Sequence, residues 1–171
     1  MFVVLKNKKL YFMLVAIVII VAQTSCSTNK TVVDGSSVVI DGIGKKKSAL
    51  DEEVDKWLGA PYKYGGQSLD GVDCSGLVVE LYKAVYGKAL YRSSYQIFEK
   101  NCRVIKKTEL MEGDLVFFIT SPNGSRINHV GVYLRDNKFV HSTTKRGVII
   151  SDLSENYYDK YFYKAGRVIN R

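Results

Sequence analysis

The spacing of hydrophobic positions changes after residue 100, and the change splits the chain into a helical part followed by a sheet. Leu50, Val54, Trp57 and Leu58 recur at i, i+4, i+7 and i+8, one face of a helix that Ser48 opens. Asp51 stands at its capping-box position, and Gly59 and Pro61 end it. Leu77, Val78, Leu81 and Val85 form the inner face of a second helix from about Cys74 to Tyr86, with Asp73 as N-cap and Gly87 as stop. Ser93 or Ser94 caps a short third helix through Phe98. From Arg103 onward the period becomes two. Val104-Ile105, Leu115–Ile119, Ile127–Leu134, Lys138–Ser142, Gly147–Ser151 and Arg167–Ile169 are the predicted strands, with Tyr157–Tyr163 left unassigned. Pro122-Asn123-Gly124-Ser125 and Asp136-Asn137 are turns, the second closing a hairpin. Helices followed by strands predict an α+β domain with an antiparallel sheet over residues 48–171.

The N-terminal end follows a different pattern. Lys6, Lys8 and Lys9 precede a 13-residue apolar run, Leu10 to Ala22. As a helix it would rise only ~20 Å, short of the ~30 Å hydrocarbon core of a bilayer. Residues 1–25 therefore read as an export signal rather than a stable span. Gln23-Thr24-Ser25-Cys26 resembles the lipobox of bacterial lipoproteins, with Gln23 where Leu is usual. There the signal is cut before the Cys, which is acylated on its sulfur and new amine. The expectation is thus a lipid on Cys26 anchoring the chain to a membrane. Ser27 gives no signal for inner-membrane retention, so the expected membrane is the outer one, with the domain facing the periplasm. Residues 26–47 are punctuated by Ser, Gly and Asp without a sustained period, as a tether would be.

Composition narrows the function classes. The net charge of +8 is uneven: residues 1–47 carry seven lysines against Asp34 and Asp41, leaving 18 cations and 15 acids, a net +3, in 48–171. No stacking aromatics lie within a Lys/Arg stripe, which argues against nucleic acid as a partner. Three cysteines are too few for a disulfide scaffold.

The chain has two histidines, His129 and His141, and both fall in predicted strands around the Asp136-Asn137 turn. Their mean position, 135, sets them opposite one another on one face. Side chains so placed lie ~4.5–5.5 Å apart at Cβ, close enough for two imidazoles to share a hydrogen bond. Cys74 begins the second helix, where unpaired N–H groups and the helix dipole favour thiolate. The neighbouring Asp73 opposes this unless its charge is engaged by helix N–H groups or by a cation brought by a substrate. A nucleophilic Cys needs a base, and the base needs a group to orient it. Cys74 with the two histidines supplies all three parts. The same set could ligate zinc, although no short C-x-x-C or H-x-x-x-H spacing is present.

Several separated motifs carry a resemblance. Tyr62-Lys63-Tyr64-Gly65-Gly66, Gly71-Val72-Asp73-Cys74-Ser75-Gly76-Leu77 and Arg92-Ser93-Ser94-Tyr95-Gln96 are similar to those of the NlpC-type cell-wall cysteine peptidases. So are Glu112-Gly113-Asp114-Leu115-Val116-Phe117-Phe118, Asn128-His129-Val130-Gly131-Val132-Tyr133, Phe139-Val140-His141-Ser142 and Gly147-Val148-Ile149-Ile150. The match runs from about residue 50 to the C-terminus and looks most like the Spr-type murein endopeptidase lipoproteins. It implies a papain-like fold, a helical part carrying the Cys packed on an antiparallel sheet carrying both His.

It also implies Cys74 as nucleophile, His129 as general base and His141 as the orienting third member. Tyr62 would help the Cys74 backbone N–H hold an oxyanion, and Asp73, Ser75, Arg92 and Ser93 would lie near the substrate peptide. Tyr91 departs from a Pro that often stands there, and Cys102 matches nothing, reading as a free, partly buried thiol. The implied activity is hydrolysis of peptidoglycan stem peptides through a thioester, without metal or cofactor. A basic groove of Lys63, Arg92 and Arg126 would suit their carboxylates. The bond implied is the cross-link between stems, with the D-Glu–diamino acid bond within one stem as the alternative. A wall-binding lipoprotein with a vestigial site, or an amidase or acyltransferase on another substrate, are the rival classes.

Overall fold

A computed structural model describes residues 46–121 and 123–169, so the export signal, Cys26 and most of the tether lie outside the described residues. Helix α1 (Ala49–Trp57) starts as expected: Ser48 Oγ accepts the Asp51 N–H, and the Asp51 carboxylate accepts the Ser48 N–H. It buries Leu50, Val54 and Trp57. Leu58, expected on that inner face, is instead the C-cap and 43% exposed, because the helix ends one residue before the i+8 position. A two-stranded hairpin of β1 (Gln67–Ser68) and β2 (Gly71–Val72) follows. Helix α2 (Cys74–Tyr86) is capped by Asp73, which accepts the Gly76 N–H, and buries Leu77, Val78 and Leu81 completely. Ser93 caps α3 (Ser94–Gln96), which runs into a single π-turn, Ile97–Asn101.

Six strands then form one antiparallel sheet: β3 (Cys102–Ile105), β4 (Leu115–Phe118), β5 (His129–Tyr133), β6 (Lys138–Thr143), β7 (Gly147–Asp152) and β8 (Phe162–Val168), in the order β3-β8-β4-β5-β6-β7. The unassigned Tyr157–Tyr163 stretch belongs to helix α4 (Asn156–Tyr161) and the start of β8. The strand expected at Arg167–Ile169 overlaps only the end of β8.

The sheet is covered on both faces. Leu50, Val54, Leu77 and Leu81 from the helices pack with Leu115, Phe117, Val130, Val132 and Val140. On the other face Val116, Phe118 and Phe139 pack with Leu153 and Tyr158. Central β4, Leu-Val-Phe-Phe, is therefore apolar at every position rather than alternating. Each such side chain contributes ~1.5–3 kcal/mol by burial.

Two local devices aim the sheet at α2. The β5–β6 turn places Asp136 and Asn137 at positive φ, 51° and 60°, and the Lys138 N–H closes it on the Arg135 carbonyl at 2.8 Å. Asn and Asp tolerate that left-handed geometry best among residues with a side chain. Gly147, at φ +66°, approaches the helical part so closely that a Cβ would lie 2.2 Å from the Ala60 carbonyl oxygen. There the Gly59 N–H bonds the Val148 carbonyl and the Val148 N–H bonds that of Ala60, tying β7 to the segment leading into Tyr62.

Candidate active site

Cys74, His129, His141 and Tyr62 line one cleft of about 420 Å³. Cys74 is the first residue of α2, so its backbone N–H has no carbonyl four residues back within the helix. His129 opens β5 and His141 sits fully buried in the middle of β6. His129 Nε2 and His141 Nδ1 lie 2.8 Å apart.

The two are not opposite one another. Val132 pairs with Val140 and Tyr133 with Phe139, so the register centres on residue 136, and His129 lies diagonally across from His141. An offset of two preserves the face, which is why the rings still meet. Carrying the register one step further sets Gly131 beside His141. A Cβ on Gly131 would come 2.6 Å from Phe139 Cδ2 and 3.2 Å from His141 Cβ, so the glycine makes room for the diagonal contact. His141 is further held by stacking on Phe139 (centroids 4.5 Å apart), by the edge of Tyr158 (5.1 Å) and by Ser151 Oγ, 3.0 Å from Nε2.

Asp73 has a partner within the chain rather than a substrate cation. Arg92 meets it with both terminal nitrogens, Nη1 to Oδ1 and Nη2 to Oδ2, each at 2.8 Å. The Gly76 and Gly65 N–H groups and the Ser75 hydroxyl also donate to the carboxylate. Burial pushes the Asp73 carboxyl up, but the Arg92 and backbone hydrogen bonds outweigh it and hold it below the usual carboxylate range. Arg92 also donates to Gln67 Oε1 and the Gly66 carbonyl, so its guanidinium clamps the 65–67 loop onto the start of α2. Ser93 caps α3 through the Gln96 N–H. Asp73, Ser75, Arg92 and Ser93 thus stand outside the cleft wall, three of them joined in one hydrogen-bonded cluster at the start of α2.

Burial pushes the Cys74 thiol up to about 11; the Val130 N–H on the sulfur opposes this and the Asp73 charge adds to it. The helix start therefore does not make thiolate the resting form. Burial likewise pushes His129 down to about 4, and burial, His129 and Arg146 together lower His141. At neutral pH the cleft holds a neutral thiol facing a neutral imidazole pair. Burial, followed by the nearness of Cys74 and Asp73, raises the Tyr62 hydroxyl, which keeps its proton and remains a donor. The groups suit nucleophilic attack in which the sulfur gives up its proton as it attacks. Among the described residues no three His, Cys, Asp or Glu side chains are grouped to hold a metal ion. Cys102 is free and half-buried, its thiol pushed up by burial to about 12.

The basic residues of the cleft differ from those expected. Arg92 is engaged by Asp73, Arg126 stacks 3.9 Å over the Tyr95 ring, and Lys63 is outside the cleft wall. Lys145 and Arg146 line it instead, on the β6–β7 turn, where Thr143 Oγ1 accepts the Arg146 N–H. No motif or spacing in the sequence singles that turn out. Ser151 and Tyr158 were also not singled out, because their position behind His141 depends on non-local packing.

Residues 59–167 match the NlpC/P60 family. The chain belongs to the NlpC/P60 family. Two curated members from Escherichia coli strain K12 are similar to it. One, named murein DD-endopeptidase MepS/murein LD-carboxypeptidase, is 36% identical over 133 residues, 78% of this chain and 68% of that protein. The other, named probable endopeptidase NlpC, is 40% identical over 121 residues, 71% of this chain and 77% of that protein. Among solved structures, an NLP/P60 family protein similar to lipoprotein from Staphylococcus aureus superposes with a TM-score of 0.63 at 34% identity, covering 71% of this chain and 41% of that one. The fold is the papain-like α+β arrangement of the NlpC/P60 family, a helical part carrying Cys74 packed on a six-stranded antiparallel sheet carrying both histidines.

Proposed function

We propose that this chain is a peptidoglycan endopeptidase whose nucleophile is Cys74, whose general base is His129 and whose orienting group is His141. The observation that carries the reading is the 2.8 Å histidine pair sharing one cleft with a helix-start cysteine, in a chain similar to a murein DD-endopeptidase. Cys74 Sγ attacks the amide carbonyl as its proton passes to His129. The oxyanion is received by the Tyr62 hydroxyl and the Cys74 backbone N–H. His129 then protonates the leaving amine, the C–N bond breaks, and a thioester remains on Cys74. Water, deprotonated by His129, hydrolyses it and restores the thiol.

The bond is the cross-link between stem peptides, and Lys145 and Arg146 receive carboxylates of the stem at the cleft mouth. Residues 1–25 are the export signal, Cys26 carries the lipid, residues 26–47 are the tether and 48–171 the catalytic domain. The chain is anchored in the outer membrane facing the periplasm. A purified cross-linked muropeptide dimer tests the reading: monomer masses are the expected products. Truncated stems would move the cut to the D-Glu–diamino acid bond, and an intact dimer would overturn the assignment.

A further inference from the structure

The histidine pair does not end at His141. His141 Nε2 lies 3.0 Å from Ser151 Oγ, and Ser151 Oγ lies 3.4 Å from Tyr158 Oη, so four groups form a line from His129 to the cleft wall. His141 is fully buried and Ser151 only 4% exposed, so no bulk water replaces a missing partner.

A neutral imidazole carries one N–H, and the line can therefore run in two directions. In the first, His129 Nε2–H donates to His141 Nδ1, His141 Nε2–H donates to Ser151, and Ser151 donates to Tyr158. His129 Nδ1 is then bare and able to take the Cys74 proton. In the second, Tyr158 donates to Ser151, Ser151 to His141 Nε2, and His141 Nδ1–H to His129 Nε2. His129 Nδ1 is then protonated and cannot act as base. Once His129 has taken the proton both its nitrogens are donors, and only the first direction lets His141 accept.

We infer that Ser151 and Tyr158 are positioning residues that fix the tautomers of both histidines, Ser151 by accepting the buried His141 Nε2–H and Tyr158 by taking the Ser151 proton. This rests on Cys74 and His129 being nucleophile and base, but not on what peptide they cut. With Ser151→Ala, the first direction leaves a buried N–H without an acceptor, whereas the second leaves only a bare ring nitrogen. Orphaned buried donors are the rarer and costlier of the two. The pair should therefore reverse. With Tyr158→Phe, the Ser151 proton loses its acceptor and turns onto His141 Nε2, giving the same reversal with the aromatic packing kept.

The test is ring ¹⁵N NMR of the purified full-length chain at neutral pH, beside mass-spectrometric measurement of Cys74 alkylation by iodoacetamide. Wild type should carry its protons on Nε2 of both histidines. Both variants should move them to Nδ1 and slow alkylation by ~10-fold to 100-fold, the scale of a lost general base. Amide spectra identify a variant that fails to fold, and Tyr158→Phe stands in if Ser151→Ala does. Nδ1 protonation in wild type, or unchanged tautomers in a folded variant, would overturn the inference. Because neither readout uses a wall peptide, its failure and that of the endopeptidase reading are separable.

Discussion

Cys74 has its thiol raised to about 11 by burial, with the Asp73 charge adding to it, so attack depends on His129 rather than on a standing thiolate. Thiolate ultraviolet absorbance of the chain, less that of Cys74→Ala, should appear only above about 9, as for a raised thiol. Absorbance already present near neutral pH would instead mean a preformed thiolate. Tyr62 should matter to the transition state more than to binding. Tyr62→Phe is expected to lower kcat by ~10-fold to 100-fold with little change in KM, the pattern of a lost oxyanion donor. A larger effect on KM would make it a substrate contact. At this scale much was legible. The order Cys, His, His and the same-face placement of the histidines followed from sequence. Their register was off by two because the turn geometry at Asp136 and Asn137, which sets it, is not written in a strand pattern. The helix N–H that Asp73 accepts was legible, but its cation partner was missed, for another reason. Arg92 lies 19 residues away across a loop and meets it only through folding.

That ion pair acts at the scale of elements. Its guanidinium joins the 65–67 loop, Asp73 and Ser75, and so holds the start of α2 in place. Arg92 is 35% exposed and Asp73 9%, so solvent screens part of the interaction. Removing the arginine still leaves a nearly buried carboxylate without its cation. Arg92→Ala is expected to cost ~2 kcal/mol, below the range for a fully buried pair, and to lower activity with it. A shifted urea midpoint with unchanged slope checks this, and an unchanged midpoint would reduce Arg92 to a surface group. The two long helices were readable because their caps and apolar spacing agree. The β1–β2 hairpin and the join of α4 to β8 were not. The first is only four residues in strand, and the second is a tyrosine-rich stretch in which aromatic residues serve both helix and strand.

For the whole molecule, buried His141 and half-buried His129 couple folding to acid. His129 titrates near 4 folded against 6.5 for an ordinary histidine. Between those values the unfolded chain holds a proton that the folded chain does not, so stability falls as pH drops from 6.5 toward 4. The shift amounts to about 3 kcal/mol, and His141 is lowered in the same direction. Asp73, held low, adds a loss below the ordinary carboxylate range. Thermal melts should decline steadily over that window, and a flat profile down to pH 4 would mean that the histidines are solvated. The α+β class was legible from the change of period, whereas the insertion of β8 between β3 and β4 was not. It pairs Ala165 with Val116, 49 residues earlier, and with Ile105, 60 residues earlier, and local pattern cannot report such pairings.

The central claim is that Cys74 cuts wall peptides. Its most direct test is mass spectrometry of purified sacculi incubated with the protein, wild type beside Cys74→Ala. Loss of cross-linked dimers with a matching gain of monomers, in wild type alone, is the predicted result. Unchanged muropeptides with wild type, or equal cleavage by a folded Cys74→Ala protein, would contradict it.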